Sequence, residues 1–310
     1  MRNVSASTIS IPRLKSRRVG GRELFAPYVY IAPFFILFLV FGLAPLVFTG
    51  WVSLHNWAPL DTTHQFVGIQ NYLDLFKDPR FWKALGNTFT IFILSTIPGL
   101  ILSLLLASVL NNRSLKVQTF WRMALLVPNI TPLVAVTLIF ASIFGRDYGP
   151  IAWLLQVLHL PPVDWAVNPW TTQSVIALMV IWRWTGFNAL IYLAAMQSVP
   201  ASLYESAEID GAGRWQTFVQ VTLPMIRPTI LFSVVTSTIG GLQIFTEPLL
   251  FTSPSGGTNG QGLTMTLLLY GQAFTNFRFG YASAIAVALL VIVLLLSLVN
   301  FTLARLIRSA

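Results

Sequence analysis

Six stretches of this chain are apolar enough, and free enough of charge, to lie in hydrocarbon, and no other sequence feature constrains the fold as tightly. Leu24 to Leu60 contains no Asp, Glu, Lys or Arg, and its apolar part, Phe25 to Val52, exceeds the roughly 20 residues that span a bilayer. Ala84 to Asn112, Met123 to Gly145 and Tyr281 to Ala304 are equally uncharged. Thr171 to Met196 is interrupted by Arg183 alone, and Thr229 to Phe251 by Glu247 alone. Only 9% of the 310 residues are charged, against about 25% in a typical soluble domain, so these runs cannot be the interior of a water-soluble fold. The expectation is an all-α, polytopic membrane protein with six transmembrane helices. The first is too long for a signal peptide and no small-residue cleavage site follows it, so it is expected to stay. The chain has no cysteine, which excludes disulfides, thiol chemistry and Cys-ligated metals.

The net charge of +9 lies between the apolar runs and not in a stripe, so it reports topology and does not suggest nucleic-acid binding. With both termini in the cytoplasm, thirteen Lys and Arg fall inside: Arg2, Arg13, Lys15, Arg17, Arg18, Arg22, Arg113, Lys116, Arg122, Arg214, Arg227, Arg305 and Arg308. Five fall outside, Lys77, Arg80, Lys83, Arg146 and Arg278, which favours this orientation. Residues 1–23 read as a basic cytoplasmic tail on an anionic leaflet and 24–310 as the membrane domain. On the outside, Tyr148 to His159 is apolar between Gly149-Pro150 and Pro161-Pro162, as for a short surface helix, and Trp153, Trp165 and Trp170 suit an interfacial aromatic belt. His55, His64 and His159 are scattered and form no metal set.

Between the fourth and fifth runs lie residues 197–228, far more than a plain connector needs. Ser202 and Glu205 have the spacing of a capping box that would start a helix. Gly211 to Gly213 would end it, because glycine tolerates the left-handed conformation. A second short helix, Arg214 to Val221, would run until Pro224 stops it. On the first helix Tyr204, Ala207 and Glu208 share a face with a small residue at its centre, suited to close approach. Glu205, Glu208 and Asp210 would be repelled by an anionic leaflet, which argues against a hairpin lying on headgroups.

Glu205-Ser206-Ala207, three residues, Gly211, nine residues and Val221-Thr222-Leu223-Pro224 resembles the Glu-Ala-Ala-x3-Gly-x9-Ile-x-Leu-Pro signature of permease subunits of binding-protein-dependent ABC importers. Ser206 and Val221 are the two conservative departures. Leu85-Gly-Asn-Thr88, Arg122 to Pro128, Gly186-Phe187, Gly256-Gly257 and Phe279-Gly-Tyr-Ala-Ser283 extend the resemblance to the carbohydrate-uptake branch, and to the first permease of maltose, lactose or glycerol-phosphate type systems. The extra helices and large external domain of the maltose permease have no counterpart. The resemblance implies a type I importer core paired with a second homologous permease, two copies of a cytoplasmic ABC ATPase and an extracytoplasmic sugar-binding protein. It implies that 197–228 is the coupling loop: Glu205 the charged contact with the ATPase, Ser206 and Asp210 beside it, Ala207 the close-packing point, Gly211 the turn, and Leu223 and Pro224 the stop before the fifth helix. No Walker A motif occurs here, so ATP and Mg belong to the partner ATPase and this chain is expected to bind no cofactor and to be no enzyme.

Polar groups at membrane depth must face protein or water. The candidate solute path is therefore Asn129 on the third helix, Trp184, Phe187 and Asn188 on the fourth, and Ser237, Gly241, Gln243, Ile244, Phe245 and Glu247 on the fifth. Aromatic faces cover the C–H side of a pyranose while amides and a carboxylate meet its hydroxyls. The aromatic rings could equally be packing residues, and Gly240-Gly241 could either widen a pocket or let helices approach. Arg183 needs a partner, for which Glu247 is a candidate. A di- or oligosaccharide is the expected cargo. An ion-coupled secondary transporter of small polar solutes is the alternative, with Glu247 as the one carboxylate available and no evident inverted repeat.

Overall fold

The computed structural model describes residues 21–58, 63–112 and 115–309. The expected basic tail lies outside the described residues up to the start of the first helix at Gly21, as does Arg113. The chain divides into two compact units, 1–48 and 49–310. The first holds α1 (Gly21–Phe38), a π-helical turn at Leu39–Leu43 and the start of α2 (Ala44–Val52), whose last four residues belong to the second. Tyr28–Val52 is long and apolar enough to cross a membrane.

The second unit begins with a small antiparallel hairpin, β1 (His55–Asn56) with β2 (Gln65–Phe66), and α3 (Gln70–Lys77). Then come α4 (Pro79–Leu110), α5 (Gln118–Ile130), α6 (Leu133–Ile143), the short α7 (Pro150–Val157) and α8 (Pro169–Gln197). A helical hairpin, α9 (Ala201–Ile209) and α10 (Arg214–Thr217), leads through a π-helical turn at Phe218–Thr222 and α11 (Leu223–Met225) to α12 (Arg227–Leu242). Last are α13 (Thr246–Thr252), α14 (Met265–Tyr270) with a π-helical turn at Gly271–Thr275, and α15 (Phe279–Ser309). The surface helix expected over Tyr148 to His159 is α7.

Local chemistry sets the starts of the two helices at the centre of this unit. Asp78 caps α4, accepting from Arg80 N–H at 2.9 Å, and Asn168 caps α8, accepting from Trp170 N–H at 3.0 Å, each with proline in the first helical position. Arg80 and Lys83 thus lie inside α4, which begins five residues before the uncharged run. Asp78 also accepts from Tyr281 Oη at 3.1 Å, joining the starts of α4 and α15. Burial raises the Asp78 carboxyl, but the Arg80 side-chain and backbone donors and Tyr281 outweigh it and hold it below its ordinary range. His55 is buried against Trp51, with Nδ1 2.8 Å from the Trp51 carbonyl, and His64 stacks on Trp57 at 3.6 Å; both serve the fold.

The third expected span is not one helix. Gln118–Ile130 and Leu133–Ile143 meet at 92°, because Thr131 precedes Pro132 and is extended at ψ 134°. The 11 residues of α6 reach only about 16 Å, half a hydrocarbon core, so six spans are counted among the described residues only if the bent pair is taken as one. α5 instead packs closely across α8. A Cβ on Gly186 would lie 1.9 Å from the Leu125 carbonyl oxygen, so only glycine permits the crossing.

The fifth span is also interrupted, at Gln243–Phe245 between α12 and α13. Broken backbone at this depth needs replacement hydrogen bonds. The hydroxyls of Thr264 and Thr266 both donate to the Ile244 carbonyl, Thr264 from 3.1 Å. Those threonines open α14, a buried helix that no apolar run announced, with Met265, Leu267 and Leu268 in the main core beside Phe81, Ala84, Tyr281 and Ile285. A second core joins the far ends of α4 and α8, where Leu110, Tyr192, Met196 and Ile226 meet.

Candidate functional site

Between these two cores the helices do not close. A cavity of about 540 Å³ lies among α4, α8, α12 and the break before α13. Nine of the ten residues expected on a solute path line it: Trp184, Phe187, Asn188, Ser237, Gly241, Gln243, Ile244, Phe245 and Glu247. Asn129 does not. It sits half-buried two residues before the 131–132 bend, which turns the chain away, so only Leu133 of that region reaches the cavity.

The nine differ in what they offer. Trp184 and Phe187 meet edge to face at 5.9 Å with much of both rings exposed, whereas Asn188 is buried and donates to the Trp184 carbonyl at 3.2 Å. Ile244 is buried against Ile91 and Ile176, and Phe245 packs on Tyr270 at 5.1 Å, so both are held mainly by packing. The two glycines separate. A Cβ on Gly241 would lie 2.7 Å from Phe92 Cδ2, so this glycine serves the approach of α12 to α4, while one on Gly240 would meet nothing within 4 Å and leaves open space in the cavity.

Arg183 and Glu247 do pair, Nη1 to Oε1 at 3.5 Å, across the cavity wall between α8 and α13. The Arg183 guanidinium lies 5.7 Å from the centre of the Trp184 ring, and its Nε is buried without a hydrogen-bond partner among the described residues. Ser95 and Thr96 on α4, and Thr236 on α12, also line the cavity and are not among the ten expected residues. Ser95-Thr96 beside Pro98-Gly99, deep in an apolar run, was the available signal.

At the far end the hairpin forms as a helix, a glycine turn and a second helix, with three corrections. The capping box is absent: Pro200 takes the cap position with no side-chain bond, α9 begins at Ala201, and Ser202 falls inside the helix with Glu205 exposed. The face of Tyr204 and Ala207 points inward. Ala207 is buried and the Tyr204 hydroxyl lies 3.3 Å from Thr222 Oγ1, so the small residue allows close packing within the hairpin. Pro224 does not stop the second helix: the chain passes through the π-helical turn Phe218–Thr222, takes Pro224 in the first turn of α11, where no N–H is needed, and turns only at Ile226. Gly211 behaves as expected. At φ +74° it closes a Schellman turn in which Ala212 N–H donates to Ala207 O at 2.9 Å and Gly211 N–H to Glu208 O at 3.1 Å. Glu205, Ser206, Ile209 and Asp210 are left exposed on α9 and at its end, as is Trp215 on α10, Ile209 at 86% and Trp215 at 71% exposure. Leu223 is half-buried where the hairpin meets α12.

A hydrophilic second cluster seals the opposite end. Asn87 of α4 donates to the Gly260 and Leu263 carbonyls at 2.9 and 3.0 Å, and Gln173 of α8 donates to Asn87 Oδ1 at 2.8 Å and to the Gln261 carbonyl at 3.1 Å. The 253–264 loop is thereby tied to both helices. Trp153 and Trp170 are exposed, and Trp165 is half-buried against Phe144 at 5.1 Å.

A family model described as the binding-protein-dependent transport system inner membrane component matches residues 99–309. The chain belongs to this family. The permease is 35% identical over 281 residues to the lactose transport system permease protein LacF of Rhizobium radiobacter, covering 90% of this chain and 93% of that one. It is 34% identical over 316 residues to the arabinooligosaccharides transport system permease protein AraP of Bacillus subtilis, with 98% of each chain covered. A crystal structure of a bacterial alginate ABC transporter, in complex with an alginate pentasaccharide-bound periplasmic protein, contains a chain that superposes with a TM-score of 0.80 at 26% identity, covering 92% of this chain and 96% of that one. The permease is therefore a multi-pass membrane protein with the type I importer core, and an ion-coupled secondary transporter is set aside.

Proposed function

We propose that this permease passes a di- or oligosaccharide into the cytoplasm through the cavity beside the α12–α13 break. The cavity carries the reading: at membrane depth it sets the faces of Trp184, Phe187 and Phe232 beside the hydroxyls of Ser95, Thr96, Thr236 and Ser237 and the amide of Gln243. That combination suits a sugar, whose C–H faces are apolar and whose rim is hydroxylated. The lactose, arabinooligosaccharide and alginate systems of its relatives point to the same cargo class.

Trp184, Phe187, Phe232, Thr236 and Gln243 line the cavity and are exposed in the single chain, so one wall is missing. A second homologous permease would supply it. The exposed face of the hairpin that carries Glu205 and Ile209 would dock one of two ATPase subunits, which would hold ATP and Mg, and the hairpin and both termini would then lie in the cytoplasm. Glu205, Ser206, Ala207, Asp210, Gly211, Leu223 and Pro224 would transmit ATPase closure to α12, and a sugar-binding protein would deliver cargo at the 253–264 end.

The test is ATP hydrolysis by the reconstituted complex with its binding protein loaded from a sugar panel. Stimulation by a loaded disaccharide or oligosaccharide is expected, and Glu205→Lys should remove it while the permease stays in the membrane. Normal uptake by a well-expressed Glu205→Lys complex would refute the coupling role, and stimulation by no sugar would refute the cargo.

A further inference from the structure

Arg183 and Glu247 are the only charged side chains among the described residues lining the cavity. Their approach, Nη1 to Oε1 at 3.5 Å, is longer than a charge-assisted hydrogen bond, so the guanidinium is compensated in charge without being saturated in hydrogen bonds. Its Nε is buried and unpartnered among the described residues, and Trp184 lies beside it. The cation is also the more accessible member, with 24% of the Arg183 side chain exposed against 8% for Glu247. A solute in the cavity therefore meets an arginine whose charge is already cancelled from behind.

We propose that this pair is a charge filter that sets the path for uncharged saccharides, with Glu247 as the specificity-determining residue. The inference rests on the saccharide reading above and adds the charge class of the cargo. A neutral sugar can accept hydrogen bonds from Arg183 without disturbing the pair. A carboxylated sugar has to compete with Glu247 for the one cation, leaving a carboxylate uncompensated in a poorly solvated space whichever wins. Without the charge of Glu247, the same guanidinium beside an aromatic face becomes a planar receptor for a carboxylate.

The test measures equilibrium binding to the assembled complex of both permeases and the ATPase, purified without its binding protein so that the selectivity of that protein does not enter. Labelled lactose, maltose and cellobiose are each compared with the matching aldonate: lactobionate, maltobionate and cellobionate. The wild type should favour the neutral member, and Glu247→Gln should shift the ratio about tenfold or more toward the aldonate, the worth of one freed charge-assisted contact. The double variant Arg183→Gln/Glu247→Gln should return the preference to the neutral sugar. An unchanged ratio in an assembled Glu247→Gln complex overturns the proposal, as does an aldonate gain that persists in the double variant. Should Glu247→Gln not assemble, Arg183→Gln carries the reciprocal test. With Glu247 uncompensated, the cationic disaccharide of glucosamine should gain about tenfold over its neutral counterpart, and no gain overturns the filter. Wild-type binding of none of these neutral sugars, by a complex that hydrolyses ATP, overturns the saccharide reading itself; failure of the filter alone leaves neutral binding intact.

Discussion

Around Asn87 and around Arg183 the same two helices, α4 and α8, carry polar side chains within apolar spans, and the two regions are completed in opposite ways. At Asn87 and Gln173 the amides find carbonyls of the 253–264 loop or each other, and the loop fills the space between the helices. At Arg183 and Thr185, polar atoms are buried without partners among the described residues, beside a cavity of about 540 Å³. Buried polar groups are costly unless bonded, so the first arrangement is a structural joint, while the second leaves polar atoms open beside the proposed path. Position in a helix does not separate them; the state of their hydrogen bonds does.

The comparison breaks most readily at the joint. Asn87→Leu strands two loop carbonyls and leaves the Gln173 amide its bond to the Gln261 carbonyl alone, and should cost roughly 3 kcal/mol, read as a lowered thermal midpoint of the purified complex, with sugar affinity of the surviving fraction unchanged. Trp184→Ala should do the reverse. Its half-exposed ring contributes little to stability, but sugar binding should weaken by about 1 to 2 kcal/mol, roughly tenfold, in equilibrium dialysis. If both substitutions moved stability and affinity together, the distinction would be lost.

The glycine pair sharpens it further. Gly241→Ala should destabilise by about 1 kcal/mol as its Cβ meets Phe92, whereas Gly240→Ala should stabilise α12 by up to about 1 kcal/mol in thermal melts while narrowing the cavity against larger sugars.

The smallest effect is expected away from both regions, at Asp78. Its folded pKa lies below that of a free aspartate, about 3.9, so its contribution is complete above about pH 4 and is lost as pH falls through the folded value. Asp78→Asn keeps a capping side chain but should remove this acid-dependent part, about 0.3 to 1 kcal/mol for one negative charge at a helix N-terminus, from melts run between neutral pH and about pH 3.

Much of this was legible in the chain, for physical reasons that can be named. Charge-free runs marked the spans because hydrocarbon excludes charge, and Gly211 marked its turn because few other residues adopt positive φ cheaply. Arg183 and Glu247 could be matched as two isolated charges in neighbouring runs, since neither is tolerable alone. The breaks were hidden because apolar composition is the same in a straight helix and a bent one. Pro132 gave a local warning of the first; the second depends on Thr264 and Thr266, some twenty residues further on, whose role only the folded chain reveals. The buried helix α14 was hidden likewise, and the capping box failed because Pro200 started the helix before Ser202 could cap it.

The absence of native cysteine makes the central claim, that the unfilled cavity is the solute path, directly measurable. Ser237→Cys in the cavity wall and Thr88→Cys at the filled joint would be introduced singly into the reconstituted complex and treated with a small hydrophilic maleimide, with and without disaccharide, and labelling of this chain read by mass spectrometry. The cavity position should label and be protected by sugar, and the joint position should stay unlabelled in both conditions. Labelling at Thr88→Cys with none at Ser237→Cys, or labelling at Ser237→Cys that saturating sugar leaves unchanged, would contradict the account.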